Sequence, residues 1–173
     1  MTAPPTIHVF TYKDGLLARL AHDLRLSLHR FEVVRAGDRI TGRFWPASLV
    51  VDGVVERSGQ VDTRALSEAD REKIKANIAE KVLLLDRFPE LAFVGAIGAG
   101  GAVVEGSLTM VGQAVALNVP IEAADGRLRA SVSLTPSRWG IAPYRALAGA
   151  IKLQDRVLVR LDFPADVQRW VVG

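Results

Sequence analysis

The sequence predicts an all-β protein: a closed antiparallel β-barrel of about eight strands with one α-helix at about residues 67–85, in a single domain spanning 1–173. Three observations predict it. Apolar and polar residues alternate with period two through most of the chain. The alternating runs are separated by hairpin-length turns, Asp125-Gly126 the clearest of them. Only one window changes to a helical period. A sheet of this size has edges to hide, and closure into a barrel removes them.

The first strand is read over residues 7–12, where Ile7, Val9 and Thr11 alternate with His8, Phe10 and Tyr12. Asp14-Gly15 marks a turn, and Leu16, Leu17 and Leu20 have the spacing of a short helical turn. Leu24, Leu26 and Leu28 then share a face opposite Arg25, Ser27 and His29. After the turn at Ala36-Gly37-Asp38, Ile40, Gly42 and Phe44 oppose Arg39, Thr41 and Arg43. Pro46 cannot donate to a ladder and interrupts it, and a further strand follows in residues 47–55.

The helical window is "SEADREKIKANIAEKVLLL", where Ile74, Ile78, Val82 and Leu85 fall on one face. Ser67 is placed to cap it, with Asp70 where a capping box puts its acid. Glu68 and Asp70 in the first turn complement the helix dipole. Pro89 lies beyond its end, and "ELAFVG" resumes as strand. Three further strand segments follow. Val104 and Leu108 share a face, then Val115, Leu117, Val119 and Ile121 beyond the turn at Val111-Gly112, then Leu128, Ala130, Val132 and Leu134. The last strand groups Val157, Val159, Leu161 and Phe163.

Composition excludes several classes. Hydrophobic residues at 49% against 24% charged are those of a folded globular chain rather than a disordered one. There is no cysteine, which excludes disulfides and thiolate metal sites. The net charge of +3 comes without any block of like charge, so no nucleic-acid partner is expected. No apolar run reaches the length of a membrane-spanning helix, and residues 1–10 do not read as a secretory signal. The expectation is a cytoplasmic protein that is not integral to a membrane.

Several segments together resemble the YceI-like family. "LLLDRFPELAFVG" resembles the family's passage from helix through an aspartate, an aromatic residue and a proline into a strand. "GSLTMVGQAVALNVPI" resembles its Gly-x-Leu-Thr-x-x-Gly hairpin. "SRWGI" resembles the arginine–aromatic–glycine corner, and "IKLQDRVLVRLDFPA" the closing strand. The resemblance covers roughly residues 6–166. It implies a lipocalin-like barrel with an elongated apolar lumen, a site that in some relatives takes polyisoprenoid or other amphipathic lipid chains.

The expected function is therefore binding or carriage of a lipid-like small molecule of polyisoprenoid or fatty-acyl type. The apolar phase of the strands supplies the candidate walls: Leu26, Leu28, Phe44, Leu108, Leu117, Val119, Val132, Leu134 and Val159. Arg138, Tyr144 and Arg145 flank the "RWGIAPY" corner as rim candidates for a head group. Two other readings stand beside it. A barrel filled by its own side chains would leave an interaction module, using an exposed arginine face or pairing as a homodimer. An enzyme would need His22 and Asp23 as a base and its orienting carboxylate.

No pattern names a nucleophile, a cofactor or a metal. His22 and His29 have opposite parity and could not share a metal on one strand. "GAIGAGGAVVEG" lacks the third glycine of a dinucleotide loop and leads into a strand instead of a helix.

Overall fold

The computed structural model describes residues 3–14 and 22–173. The expected helical turn around Leu16, Leu17 and Leu20 lies outside the described residues. Among those described, the strands are β1 (Thr6–Lys13), β2 (Leu24–Leu28), β3 (Phe31–Ala36), β4 (Arg39–Phe44), β5 (Leu49–Val55), β6 (Val61–Asp62) and β7 (Leu91–Ile97). They continue with β8 (Val103–Met110), β9 (Gln113–Ala124), β10 (Arg127–Leu134), β11 (Arg145–Ala146), β12 (Ile151–Pro164) and β13 (Arg169–Val172). Among the described residues there is one α-helix, α1, which spans Glu68–Asn77.

All pairings are antiparallel, and the path runs β13-β3-β4-β7-β8-β9-β10-β12-β1-β2-β5-β6, with β11 beside β12. Hydrogen bonds do not close this thirteen-stranded sheet into a ring, which corrects the expectation of a barrel of about eight ladder-closed strands. The reason lies at two corners. The chain bends at His29-Arg30 between β2 and β3, and again at Trp45–Ser48 between β4 and β5. One long hairpin is thereby folded in two, with its halves at the two ends of the hydrogen-bonded path. Across the bend, His29 N donates to Ser48 O at 3.3 Å and Trp45 N to Arg30 O at 3.2 Å. The second corner falls where Pro46 is expected to interrupt the ladder; the first corner and the short β6, β11 and β13 are additions to the expected strands.

Turn chemistry fixes the registers. Val111-Gly112 and Asp125-Gly126 both hold positive φ at two successive residues, the geometry of a tight hairpin whose twist matches its strands. Val111 takes this conformation at φ 50 despite its branched Cβ, and its side chain packs on the core beneath.

Ser67 caps α1 as expected: its Oγ accepts from Asp70 N at 3.1 Å, and Ser67 N donates to Asp70 Oδ2 at 3.3 Å. The α-helix ends earlier than residue 85, however, and passes into a π turn over Ile78–Val82. Arg71 ties the helix to the sheet by donating to the carbonyls of Val51, Asp52 and Thr63.

The core has two packed clusters. One joins Leu26, Phe31, Val51, Phe163 and Trp170, with Phe163 stacked between Phe31 and Trp170 at 5.7 and 5.2 Å. The other joins Leu108, Leu117, Leu134 and Ile141 around Trp139. Both buried indoles are satisfied: Trp139 donates to Leu108 O at 2.9 Å and Trp170 to Pro164 O at 2.8 Å. Val159 packs against both clusters.

A candidate ligand cavity

The inward residues of the sheet do not fill the space they enclose. Between the two clusters lies a cavity of about 340 Å³, at the low end of the range for small-molecule sites. Its walls come from the expected phase of each strand: Ile7, Val9 and Thr11 on β1, Ile40 and Phe44 on β4, Leu128, Val132 and Leu134 on β10. On β12 they run from Val157 to Phe163, a length of about 20 Å at roughly 3.3 Å per residue.

The structure brings together nine of the sequence candidates. Leu26, Leu28, Phe44, Leu108, Leu117, Val119, Val132, Leu134 and Val159 all line this cavity. Arg138, Tyr144 and Arg145 do not. Arg138 is exposed and donates to Ala116 O at 3.3 Å, and Arg145 is an exposed residue of β11. The π turn adds Ile78 and Val82, and Leu83 follows. Their helical periodicity was the only sequence signal for them, and it marked a packed face without saying against what.

The lining is apolar except at three side chains. The Trp170 indole is already bonded. Arg129 lies on the outward phase of β10, exposed, with Nε 3.5 Å from Asp162 Oδ2. The third is Thr11, on the inward phase of β1. No polar or charged residue is fully buried among the described residues. A second pocket, of about 310 Å³, adjoins the first through the shared walls Ile40, Ile121, Leu128 and Trp170. Its lining is mixed, with Arg35 and Asp38 at the β3–β4 turn facing the loop that holds Gly98 and Gly101, beside Ile97 and the shared apolar walls.

The enzyme reading loses its pair. His22 is exposed and does not line the cavity, and Asp23 Oδ1 accepts the main-chain N–H of Lys13 at 2.8 Å. A histidine that the sequence reading passed over has the more distinctive setting. His8 lies on the outward phase of β1, opposite Ser27, near Arg25, Asp52 and Arg160. Burial holds its imidazole below the usual histidine range, and the Arg25 guanidinium adds to that. Ser27 Oγ donates to Asp52 Oδ2 at 2.7 Å, so its proton is given to a carboxylate that also receives Arg25 Nε at 2.7 Å. No base is aimed at the hydroxyl, and the group has no nucleophile geometry. Among the described residues no three His, Asp or Glu side chains are grouped to hold a metal ion.

These features define an antiparallel β protein built around an apolar cavity. Comparison with known proteins places the architecture further. BcnA of Burkholderia cenocepacia aligns at TM-score 0.57 with 13% identity, covering 91% of this chain and 94% of that one. A polyisoprenoid binding domain from Saccharophagus degradans, implicated in plant cell wall breakdown, aligns at TM-score 0.58 with 6% identity, covering 98% and 94%. A YceI protein of Campylobacter jejuni aligns at TM-score 0.53 with 11% identity, covering 79% and 81%. No family model and no curated relative matches the sequence. The chain has the YceI-like fold.

Proposed function

We propose that this protein binds a long apolar or amphipathic molecule, of polyisoprenoid or fatty-acyl type, in the cavity between its two core clusters. The observation that carries the reading is an unfilled interior whose walls are aliphatic and aromatic on every strand that reaches it. A chain placed there gains about 0.8 kcal/mol gross for each buried methylene and needs no hydrogen bonds along its length. The nine strand residues from Leu26 to Val159 are its walls. The folded hairpin at His29-Arg30 and Trp45–Ser48 closes the wall through the chain itself where no ladder does so. A filled interaction module would leave no such space. The Saccharophagus degradans domain of the same fold, described as polyisoprenoid binding, supports the ligand class.

Native mass spectrometry of the purified protein, paired with solvent extraction, tests the reading. A bound mass released as lipid, or stoichiometric uptake of polyprenyl or fatty-acyl probes, is the expected result. Protein that carries no lipid and takes up neither probe overturns it.

A further inference from the structure

The outer face of β1 and β12 carries a cluster that the cavity does not use. Phe10 and Tyr12 stand on the outward phase of β1, and Arg156, Leu158 and Arg160 on that of β12. In the ladder Phe10 pairs with Leu158, and His8 with Arg160. Each arginine lies over a ring of the neighbouring strand. Arg160 Cζ is 4.9 Å from the Phe10 centroid, and Arg156 Cζ is 4.2 Å from that of Tyr12. The two rings and Leu158 are half-buried, and the arginines are exposed. None of these five residues lines either cavity.

The carboxylates that border this face are met by other groups. Asp52 accepts from Arg25 and Ser27, Asp162 from Arg127, and Asp23 from the main-chain N–H of Lys13. Glu122 lies across the ladder from Arg129. Neither the Arg156 nor the Arg160 guanidinium has an ion pair or a hydrogen bond among the described residues. A guanidinium over a ring gives its face to the π-system and keeps its N–H edge for an oxygen acceptor, phosphate above all.

Shape narrows the partner as much as charge does. The five residues lie on an open ladder outside both cavities, so a single small anion is not enclosed there. The two arginines are four residues apart on one strand, about 13 Å at roughly 3.3 Å per residue, so they address separate phosphates. An apolar strip runs between them. A plane of anionic head groups with hydrocarbon beneath it matches both features. A nucleic-acid backbone calls for a longer basic track.

We propose that this face docks on an anionic lipid bilayer. Arg156 and Arg160 bond head-group phosphates, and Phe10, Leu158 and Tyr12 settle at the interface between them. Docking brings the cavity to a membrane from which a lipid ligand is taken. The surface draws on the lumen reading only for that purpose and is tested apart from it.

The test is co-sedimentation of the full chain with two kinds of vesicle, phosphatidylcholine alone and phosphatidylcholine with phosphatidylglycerol in equal parts. Wild type is expected on the mixed vesicles and not on the neutral ones, and to be released at about 1 M salt, where screening reaches about 3 Å. Arg156→Gln with Arg160→Gln should weaken the partition by about ten- to thirty-fold. Uptake of a fatty-acyl probe in solution should be unchanged, as should the melting temperature. Arg35→Gln with Arg39→Gln removes the same charge from the β3–β4 turn and should leave the partition within about two-fold. Equal binding to both vesicles, no binding to either, an undiminished partition in the Arg156–Arg160 variant, or an equal loss in the Arg35–Arg39 variant overturns the inference. So does tighter binding to a DNA oligomer than to the mixed vesicles. The lumen reading stands in each of those cases if the probe is still taken up. Vesicle binding by a protein that takes up no probe upholds the face and overturns the lumen.

Discussion

His8 lies between two arginines on the outer face of β1, and burial and Arg25 hold it neutral below the ordinary imidazole value of 6.5. In the unfolded chain it regains that value. As pH falls through about 6.5, the unfolded state binds the proton that the folded state refuses, so stability must drop. The drop ends once the pH is below the folded value. Asp70, held low by its hydrogen bonds with Ser67, and Glu90, held low by Arg43, lose their contributions only near the carboxylate range. Urea midpoints at pH 7.5 and 5.5 should therefore differ in wild type, and the difference should shrink in His8→Gln. An undiminished difference would place the titration elsewhere. The cavity walls were legible at this scale because strand parity alone decides which side chains point inward. Arg138, Tyr144 and Arg145 were not, since no period governs where a corner residue points.

Three glycines on adjacent strands make room for two rings, Gly42 for Phe44 and Gly95 and Gly106 for Phe93. Gly42, Gly95 and Gly106 lie on β4, β7 and β8, and an added Cβ at any of them would crowd the aromatic side chains of Phe93 or Phe44. At Gly106 it would come within 2.4 Å of Phe93 Cζ and 2.6 Å of the Val94 carbonyl. Gly106→Ala should cost roughly 1–3 kcal/mol by overpacking. Gly100→Ala, where a Cβ meets nothing within 4 Å, should be close to neutral in the same denaturation series. Ser67→Ala removes the α1 cap and should cost about 1 kcal/mol. The cap was readable because it is local in sequence. The helix end was not. Ile74, Ile78 and Val82 are spaced by four, which in an α-helix drifts about 40° per step. The wider turn at Ile78–Val82 reduces that drift and lets Ile78 and Val82 reach the cavity. The first corner did leave a trace: the apolar phase moves from Leu24, Leu26 and Leu28 to Phe31 and Val33 across His29-Arg30, a shift that period-two reading of each segment by itself does not weigh.

At the scale of the molecule, the interior is a compromise between packing and vacancy. Native interiors are normally filled, and a void forfeits the contacts its walls would otherwise make. Val159 is the place to reverse the compromise, since it packs on both core clusters and lines the cavity between them. A phenylalanine there projects into the empty space from the inward face of β12. Ligand-free Val159→Phe should then melt at or near the wild-type temperature, because the added ring occupies a void. Its response to ligand should be different. Wild type at a hundred-fold excess of ligand over Kd should gain about 2.7 kcal/mol of apparent stability, and the variant little or none. A fatty-acyl or polyprenyl probe followed by thermal denaturation makes the comparison directly. If Val159→Phe folds normally and still gains the full increment, the ligand is bound elsewhere on the protein, and the space between the clusters is an imperfection of packing.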